Sequence, residues 1–263
     1  MHRELALLAM LSLPRVCAAA HAFSLGTATS RAAVVISSGA VFVESQFVCW
    51  HTDDRHHSAP SLAIQTSSPR VSCWQLHGAE LEEARVAAES LRPLTSAAVL
   101  GRRTAVETSK RDCAYLDLLS DAVWPTLPSP LLRVVARIDQ LRDALAAQTG
   151  RPLLGDAELQ LLHYREGGHY ARHVDDGTFT ANSRVRRSIS LLLYLTPSDW
   201  RSEDDGGALR VHYDGDGGRA SYYEDIEPSA GTLVLFDSSS VPHEVLTTRR
   251  ERIAIVGWLL EAR

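Results

Sequence analysis

Three residues of metal-binding types stand at a spacing that could bring them to one ion. His173 and Asp175 are two positions apart, and on a β-strand such residues project from the same face. His243 follows far enough along the chain for several strands to return it to the same place. Asp176 competes with Asp175 as the carboxylate, but on a strand it would point to the opposite face. The spacing therefore predicts a metal site built from His173, Asp175 and His243.

The chemistry expected of such a site is oxidation by molecular oxygen. Two histidines and one carboxylate on one octahedral face suit ferrous iron and leave the opposite positions open, as in non-haem Fe(II) oxygenases. Iron of this kind needs electrons from a co-substrate to activate dioxygen. A 2-oxo acid, which chelates the metal through its keto and carboxylate oxygens, provides them.

Arg252 is a candidate cation for the far carboxylate of such a co-substrate. It opens the apolar run at residues 253–258 and is expected on the strand next to the one that ends near His243. A guanidinium pairs bidentately with a carboxylate and stays charged when it is buried. The only lysine of the chain, Lys110, lies well upstream of the motif. The sequence therefore predicts that an arginine binds the carboxylate.

An ordered series of motifs resembles the 2-oxoglutarate- and Fe(II)-dependent prolyl hydroxylases. The motifs lie at residues 164–175, 193–200, 206–210, 225–228, 242–245 and 252–258. The likeness covers about residues 158–263 and is weaker through the preceding segment. It is closest to the oxygen-sensing hypoxia-factor type and its microbial relatives. Collagen-type enzymes carry a lysine at the oxo-acid position, so Arg252 points to the other branch.

This resemblance implies roles for individual residues. His173, Asp175 and His243 would hold the iron, with no catalytic side chain beyond them. Binding of 2-oxoglutarate would fall to Arg252, Tyr194 and Tyr164, with Trp258 as a wall of the pocket. The substrate side would be lined by Leu209 and Val245 and by Arg184 and Arg186 of the loop at residues 176–187. The basic character of that loop hints at an acidic target, although exposed charges are usually only solvated surface. His163, His169 and His212 are expected to be packed or solvated side chains.

The function implied is hydroxylation of a prolyl residue in a protein or peptide. Fe(II) would be the metal, 2-oxoglutarate and O2 would be converted to succinate and CO2, and ascorbate would serve as reductant. Since a fold and a metal site do not fix the substrate, a free amino acid or a nucleic acid stays an alternative substrate. The net charge of −5 argues against nucleic acid. A non-catalytic module that senses iron or a 2-oxo acid, or binds a peptide, is a further alternative, against which the intact ligands and Arg252 count.

The N-terminal residues have the pattern of a targeting signal. Residues 1–22 combine a short charged start, an apolar run and a small-x-small cleavage site, which predicts a secretory signal peptide. The apolar run is too short to span a bilayer, so no membrane span is expected in the mature chain. Residues 23–33 lack acidic side chains and, with Phe23, resemble a two-part plastid signal. The secretory pathway, a plastid and, without a signal, the cytoplasm stay open. A disulfide between Cys49 and Cys73 also stays open.

The remaining chain changes from a helical to a strand pattern. Residues 80–91 and 131–148 carry apolar side chains at helical spacing. Short apolar or alternating runs follow at residues 158–164, 188–196, 208–213, 231–236 and 252–260. Together they predict an α+β, mainly β fold: a double-stranded β-helix (jelly-roll, cupin-like) core braced by N-terminal helices. The expected organisation is a signal (1–22), a poorly ordered or targeting extension (23–75), a helical support region (76–157) and the oxygenase core (158–263).

Overall fold

A computed structural model describes residues 71–75, 78–98, 107–175, 184–214 and 220–263 of the 263-residue chain. The predicted signal peptide at 1–22, the extension up to residue 70, and Cys49 lie outside the described residues. In the described part, no helix is long and apolar enough to span a membrane.

Two long helices precede the central strands. Helix α1 (Ala79–Ser90) buries Leu81, Ala84 and Ala88 on one face and ends before Pro93, which has no backbone N–H to donate. Helix α2 (Ser129–Thr149) has a proline in its first turn and ends at Gly150, whose φ of 68° gives the left-handed cap that glycine favours. Both helices match the segments predicted from apolar spacing. A short helix, α3 (Ser202–Asp205), follows later in the chain.

Twelve strands in the described residues form two antiparallel sheets. In chain order they are β1 (Val71–Gln75), β2 (Ser96–Ala97), β3 (Arg111–Asp112), β4 (Ala114–Asp117), β5 (Leu153–Tyr164), β6 (His169–His173), β7 (Val185–Tyr194), β8 (Leu209–Tyr213), β9 (Tyr222–Ile226), β10 (Thr232–Asp237), β11 (His243–Val245) and β12 (Arg252–Ala262). The larger sheet has the order β1-β10-β7-β12-β5-β4-β2, and the smaller has the order β3-β6-β11-β8-β9. The α+β, mainly β class and the jelly-roll core are confirmed.

Successive side chains along the central strands point alternately into two hydrophobic cores. Ile255 of β12 pairs with Leu161 of β5 and Leu193 of β7, and these side chains belong to the cluster that also contains the buried faces of α1 and α2. The neighbouring residue Ala254 belongs to a second cluster, which joins the larger sheet to Leu209, Val211 and Val245 of the smaller one. One face of the larger sheet therefore packs on the helices, and the other faces the smaller sheet.

The structure differs from the sequence-based expectations at several boundaries. Residues 71–75 form strand β1, although they fall in the predicted extension, and β3 and β4 arise from the predicted helical support region. Strand β6 ends at His173, so Asp175 lies in the bend after the strand rather than two positions along it. Strand β12 follows β11 in the chain but belongs to the other sheet. Arg252 therefore faces the His243 strand across the fold instead of pairing beside it.

Candidate metal and co-substrate site

Two paired strands and the bend after one of them gather the three predicted metal ligands. His173 ends β6, His243 begins β11, and the two residues are register partners. Asp175 Oδ1 lies 3.4 Å from His173 Nε2, and Asp175 Oδ2 lies 3.8 Å from His243 Nε2. One ligand atom from each of the three residues can be chosen so that all lie within 4.8 Å of one another. The structure therefore brings the three side chains to one point between the sheets.

Backbone carbonyls set the orientation of both imidazole rings. The Nδ1 atom of His173 lies 2.9 Å from the carbonyl oxygen of Ala171, and that of His243 lies 3.0 Å from the carbonyl oxygen of Val241. A carbonyl only accepts hydrogen bonds, so each Nδ1 carries the proton and each Nε2 presents its lone pair. This is the tautomer that a metal-binding histidine adopts when its second nitrogen is held by the protein.

The charge states of the site also suit a metal ion. Burial alone would raise the pKa of the Asp175 carboxyl, but the neighbouring His243 and His173 and the hydrogen bond from Ser190 outweigh burial and lower that pKa below its ordinary value. Burial lowers the pKa of His243, with the nearby His173 acting in the same direction and Asp175 against it. An ionised carboxylate and a neutral imidazole are the forms that bind metals. Two histidines and one carboxylate suit Fe(II).

Aromatic side chains cover the two histidine rings. Tyr170 stacks on His173 with ring centroids 3.6 Å apart and an interplanar angle of 20°. Phe236 lies against His243 at 4.7 Å between centroids. Only 18% of the His173 side chain and 5% of the His243 side chain are exposed. The rings are therefore held by packing as well as by hydrogen bonds, which restricts the directions in which the ligand atoms can point.

Arg252 supplies a buried positive charge to the same interior. It is the first residue of β12, is 0% exposed, and pairs in register with Tyr164 of β5. Its guanidinium lies 5.0 Å from the Tyr164 ring centroid and 4.8 Å from that of Tyr194. Among the described residues, its Nε and Nη2 atoms have no hydrogen-bond partner. Because a buried cation with open donors is costly, this arrangement fits an anion such as the far carboxylate of a 2-oxo acid.

A glycine makes room for the Arg252 side chain. Gly207 has a φ of +70°, and a Cβ atom there would lie 3.0 Å from Arg252 Cδ and 3.2 Å from Thr248 Cβ. Any larger residue would be strained in this backbone conformation and would crowd the arginine. Gly207, in the motif at residues 206–210, thus has a packing reason beside the candidate anion site.

Three further predicted residues line the space between the sheets. Leu209 and Val245 are register partners on β8 and β11, and both are buried in the cluster that contains Tyr164 and Tyr194. Trp258 is 5% exposed, and its indole N–H has no partner among the described residues. These side chains give the interior apolar walls, which suits an uncharged substrate group.

The two predicted loop arginines are not gathered with these residues. Arg186 forms an ion pair with Glu261 near the end of β12, and Arg184 is exposed just before β7. Arg187 instead approaches the metal-ligand group, since its Nη1 donates to the carbonyl oxygen of Asp175 at 3.4 Å. Its guanidinium also stacks 3.6 Å from the Trp258 ring centroid and pairs with Glu158. The pairing of β7 with β12 has a bulge between Ile189 and Arg187, and this bulge changes the sheet face to which the neighbouring side chains point. The alternation of residue types in the sequence does not reveal it.

Ser190 is a contributor to the site that sequence reasoning missed. Its hydroxyl donates a 2.7 Å hydrogen bond to Asp175 Oδ2 and lies 2.8 Å from the Ser238 hydroxyl. The available signal was its position: Ser190 stands four residues before Tyr194, hence on the same strand face, in an otherwise apolar run. The histidines set aside as structural are occupied otherwise. His163 pairs with Glu251, and His212 pairs with Glu244.

Comparison with known protein families agrees with a site for iron and a 2-oxo acid. Residues 159–260 match the 2OG-Fe(II) oxygenase superfamily. A PKHD-type hydroxylase of Maricaulis maris (strain MCS10) is 31% identical over 137 residues, which cover 49% of this chain and 57% of that protein. One from Teredinibacter turnerae (strain ATCC 39867 / T7901) is 34% identical over 98 residues, covering 36% of this chain and 39% of that protein. The chain thus spans only about half the length of such relatives, or less.

Solved structures show the same fold. A prolyl-4-hydroxylase of Pseudomonas putida has a TM-score of 0.60 and 28% identity, with 73% of this chain and 92% of that one covered. A prolyl hydroxylase of Trichoplax adhaerens, solved with a peptide fragment of the oxygen degradation domain of hypoxia-inducible factor, has a TM-score of 0.60 and 22% identity, with 72% and 82% covered. The resemblance to 2-oxoglutarate- and Fe(II)-dependent prolyl hydroxylases is confirmed.

Proposed function

We propose that the region at residues 159–260, which matches the 2OG-Fe(II) oxygenase superfamily, hydroxylates a prolyl residue in a protein or peptide. The reaction would consume 2-oxoglutarate and O2 and release succinate and CO2. One oxygen atom of O2 enters the prolyl C–H bond, and the other enters succinate as the oxo acid loses CO2. Ascorbate would restore ferrous iron after unproductive cycles.

One observation carries this proposal: a metal-binding triad and a buried guanidinium with open donors face the same interior. Ser190 and Tyr194 lie on one face of β7; Ser190 bonds to Asp175, and Tyr194 flanks Arg252. A 2-oxo acid has an oxo-carboxylate end for the metal and a second carboxylate for a cation. The site has a group for each end, which a mere structural metal site would not require.

The residues of this chain position the reactants and exclude water. His173, Asp175 and His243 would hold Fe(II), which, when bound, supplies the oxidising chemistry. Arg252 binds the far carboxylate through its planar fork, and the Tyr164 and Tyr194 rings hold the guanidinium in place. Leu209, Val245 and Trp258 keep the space beside the site apolar.

A prolyl ring is the substrate group that suits this interior. The ring is uncharged and presents C–H bonds, so apolar walls such as Leu209 and Val245 can pack on it without unpaired polar atoms. A free amino acid would need partners for its ammonium and carboxylate groups. The 28% identical Pseudomonas putida protein is a prolyl-4-hydroxylase, which supports the same assignment.

The direct test is mass spectrometry of products. Proline-containing peptides, incubated with the protein, Fe(II), 2-oxoglutarate and ascorbate, should gain one oxygen on proline together with succinate release. The matched peptide in which alanine replaces proline is the control and should stay unmodified. Oxidation of a free amino acid or a nucleic acid base, with none of a broad proline peptide library, would overturn the proposal. Binding of the peptides without succinate release or oxygen gain would instead identify a non-catalytic module.

A further inference from the structure

Arg111 places a second positive charge near the metal-ligand group. It lies on β3, which occupies one edge of the smaller sheet and pairs only with β6 among the described strands. Its register partner is Tyr170, whose ring stacks on that of the candidate ligand His173. Neither the metal triad nor the oxo-acid pocket uses this arginine. It is therefore a charged group at the site that still lacks a role.

The neighbours of the Arg111 guanidinium are neutral groups. Its Nε donates to the Cys113 thiol at 3.3 Å, and its Cζ lies 4.8 Å from the centroid of the Tyr170 ring. The Tyr164 phenol is a further electrostatic neighbour. Among the described residues, no carboxylate lies within ion-pair distance of Arg111, whereas Arg210, which is also partly exposed, pairs with Asp225. A partly buried cation without an anion is unfavourable unless a ligand supplies the charge.

Arg252 and Arg111, neither of which has a carboxylate partner among the described residues, differ in their access to solvent. Arg252 is fully buried at the start of β12, which suits a small diacid enclosed inside the site. Arg111 is partly exposed on an edge strand, so an anion can reach it from solvent while a neighbouring group enters the site. The two carboxylates of 2-oxoglutarate are already matched by the metal and Arg252. The anion for Arg111 would therefore come from the substrate.

We propose that Arg111 is a specificity-determining residue that pairs with a carboxylate of the peptide substrate, on a residue close to the target proline. This inference rests on the proposed prolyl hydroxylase function. Arg187, the other guanidinium near the ligand group, is paired with Glu158 and stacked on Trp258. Arg111 is therefore the one of these two cations whose charge no described side chain neutralises. Pairing with Arg111 makes peptides with an acidic residue close to the target proline the preferred substrates.

Binding of paired peptides without turnover tests this role. Alanine-rich peptides with a single proline carry glutamate, glutamine or lysine at each flanking position in turn. Affinity for the full chain, loaded with Mn(II) and 2-oxoglutarate under argon, is measured by fluorescence anisotropy. At one position, we expect the glutamate peptide to bind about tenfold more tightly than its glutamine twin, equivalent to about 1.4 kcal/mol. Arg111→Gln should abolish this preference, and Arg111→Glu should reverse it in favour of lysine at the same position.

The matched control is Arg210→Gln. Arg210 also stacks on a tyrosine, with its Cζ 3.9 Å from the Tyr223 centroid, but it is paired with Asp225 on the edge strand β9. This variant should keep the glutamate preference. Equal affinity for the glutamate and glutamine peptides at every position in the wild type, or a preference that survives Arg111→Gln, would overturn the role of Arg111. Hydroxylation of the neutral peptides would in that case leave the proposed function standing, whereas no hydroxylation of any peptide would overturn both.

Discussion

The Ser190 hydroxyl, on β7 of the larger sheet, donates a 2.7 Å hydrogen bond to the Oδ2 atom of Asp175, which follows β6 of the smaller sheet. Asp175 lies in a bend, so the strand backbone does not fix its side chain. The hydrogen bond supplies that constraint and leaves Oδ1 facing His173 Nε2 at 3.4 Å. The carboxylate is thus oriented by a neighbour that does not itself belong to the ligand set.

Removal of this hydrogen bond should weaken metal binding without abolishing it. In Ser190→Ala, Asp175 keeps its charge but loses the partner that orients it. Fe(II) affinity should fall roughly 10- to 100-fold, the usual effect of losing a group that orients a ligand. Anaerobic competition with a metal-binding dye measures this change. Ser239→Ala, which removes an exposed hydroxyl bonded to Asp237, is the matched control and should bind Fe(II) normally. Unchanged affinity in Ser190→Ala would show that packing alone holds Asp175.

Loss of either histidine ligand should have a larger effect. The wild type should retain about one Fe(II) per chain, and His173→Ala or His243→Ala should lose both the metal and the succinate release. His212→Ala is the control on the adjacent strand β8, since His212 pairs with Glu244 outside the triad. Iron measured by optical emission after desalting gives the comparison. Normal 2-oxoglutarate consumption by the double variant His173→Ala/His243→Ala would contradict the ligand assignment.

Arg252 should control affinity for the co-substrate rather than for the metal. Arg252→Ala should weaken 2-oxoglutarate binding by roughly 2–5 kcal/mol, the range for removing one partner of a buried charge pair, while Fe(II) affinity changes little. Arg252→Lys should restore only part of it, because the ammonium lacks the planar fork. Calorimetry under nitrogen measures both affinities. Arg250→Ala, which removes an exposed guanidinium paired with Asp199, provides the control. Equal 2-oxoglutarate affinity in the wild type and Arg252→Ala would rule out this role.

Sequence periodicity predicted the long elements because their burial is regular. The runs at residues 158–164 and 252–260 are central strands whose two faces are both buried, and the two long helices each have one apolar face. Strand β11 has only three residues, and β3 only two, so neither contains a period to recognise. They exist because the larger strands beside them fix their position.

The predicted site residues came from motif order rather than from geometry. The expected strand placement of Asp175 was wrong, since the strand ends at His173, yet the carboxylate still lies beside both histidines. Ser190 and Arg111 could not be assigned because their importance depends on pairing between distant segments. Neither type is unusual in a strand, and only the folded sheets bring them to Asp175 and Tyr170. The metal and co-substrate roles themselves stay predictions for the variants above.

Gly257 should be the glycine of the central strands that tolerates a side chain least. A Cβ atom there would lie 2.4 Å from Leu159 Cδ2, 3.0 Å from the Glu158 carbonyl oxygen and 3.2 Å from Leu191 Cγ. Because the carbonyl belongs to the backbone of the paired strand, it cannot rotate away. Gly257→Ala should therefore lower the free energy of unfolding by about 1–3 kcal/mol, the usual cost of overpacking a core.

Gly155 offers a matched control for this prediction. It lies in strand β5, as Gly257 lies in the partner strand β12, but nothing is within 4 Å of a Cβ atom built on it. Gly155→Ala should change the free energy of unfolding by no more than about 0.5 kcal/mol, as for other exposed substitutions. Urea denaturation followed by tryptophan fluorescence compares the two variants with the wild type. Equal unfolding midpoints for Gly257→Ala and Gly155→Ala would mean that the strands separate enough to admit a methyl group, which would contradict the close packing between β5, β12 and β7.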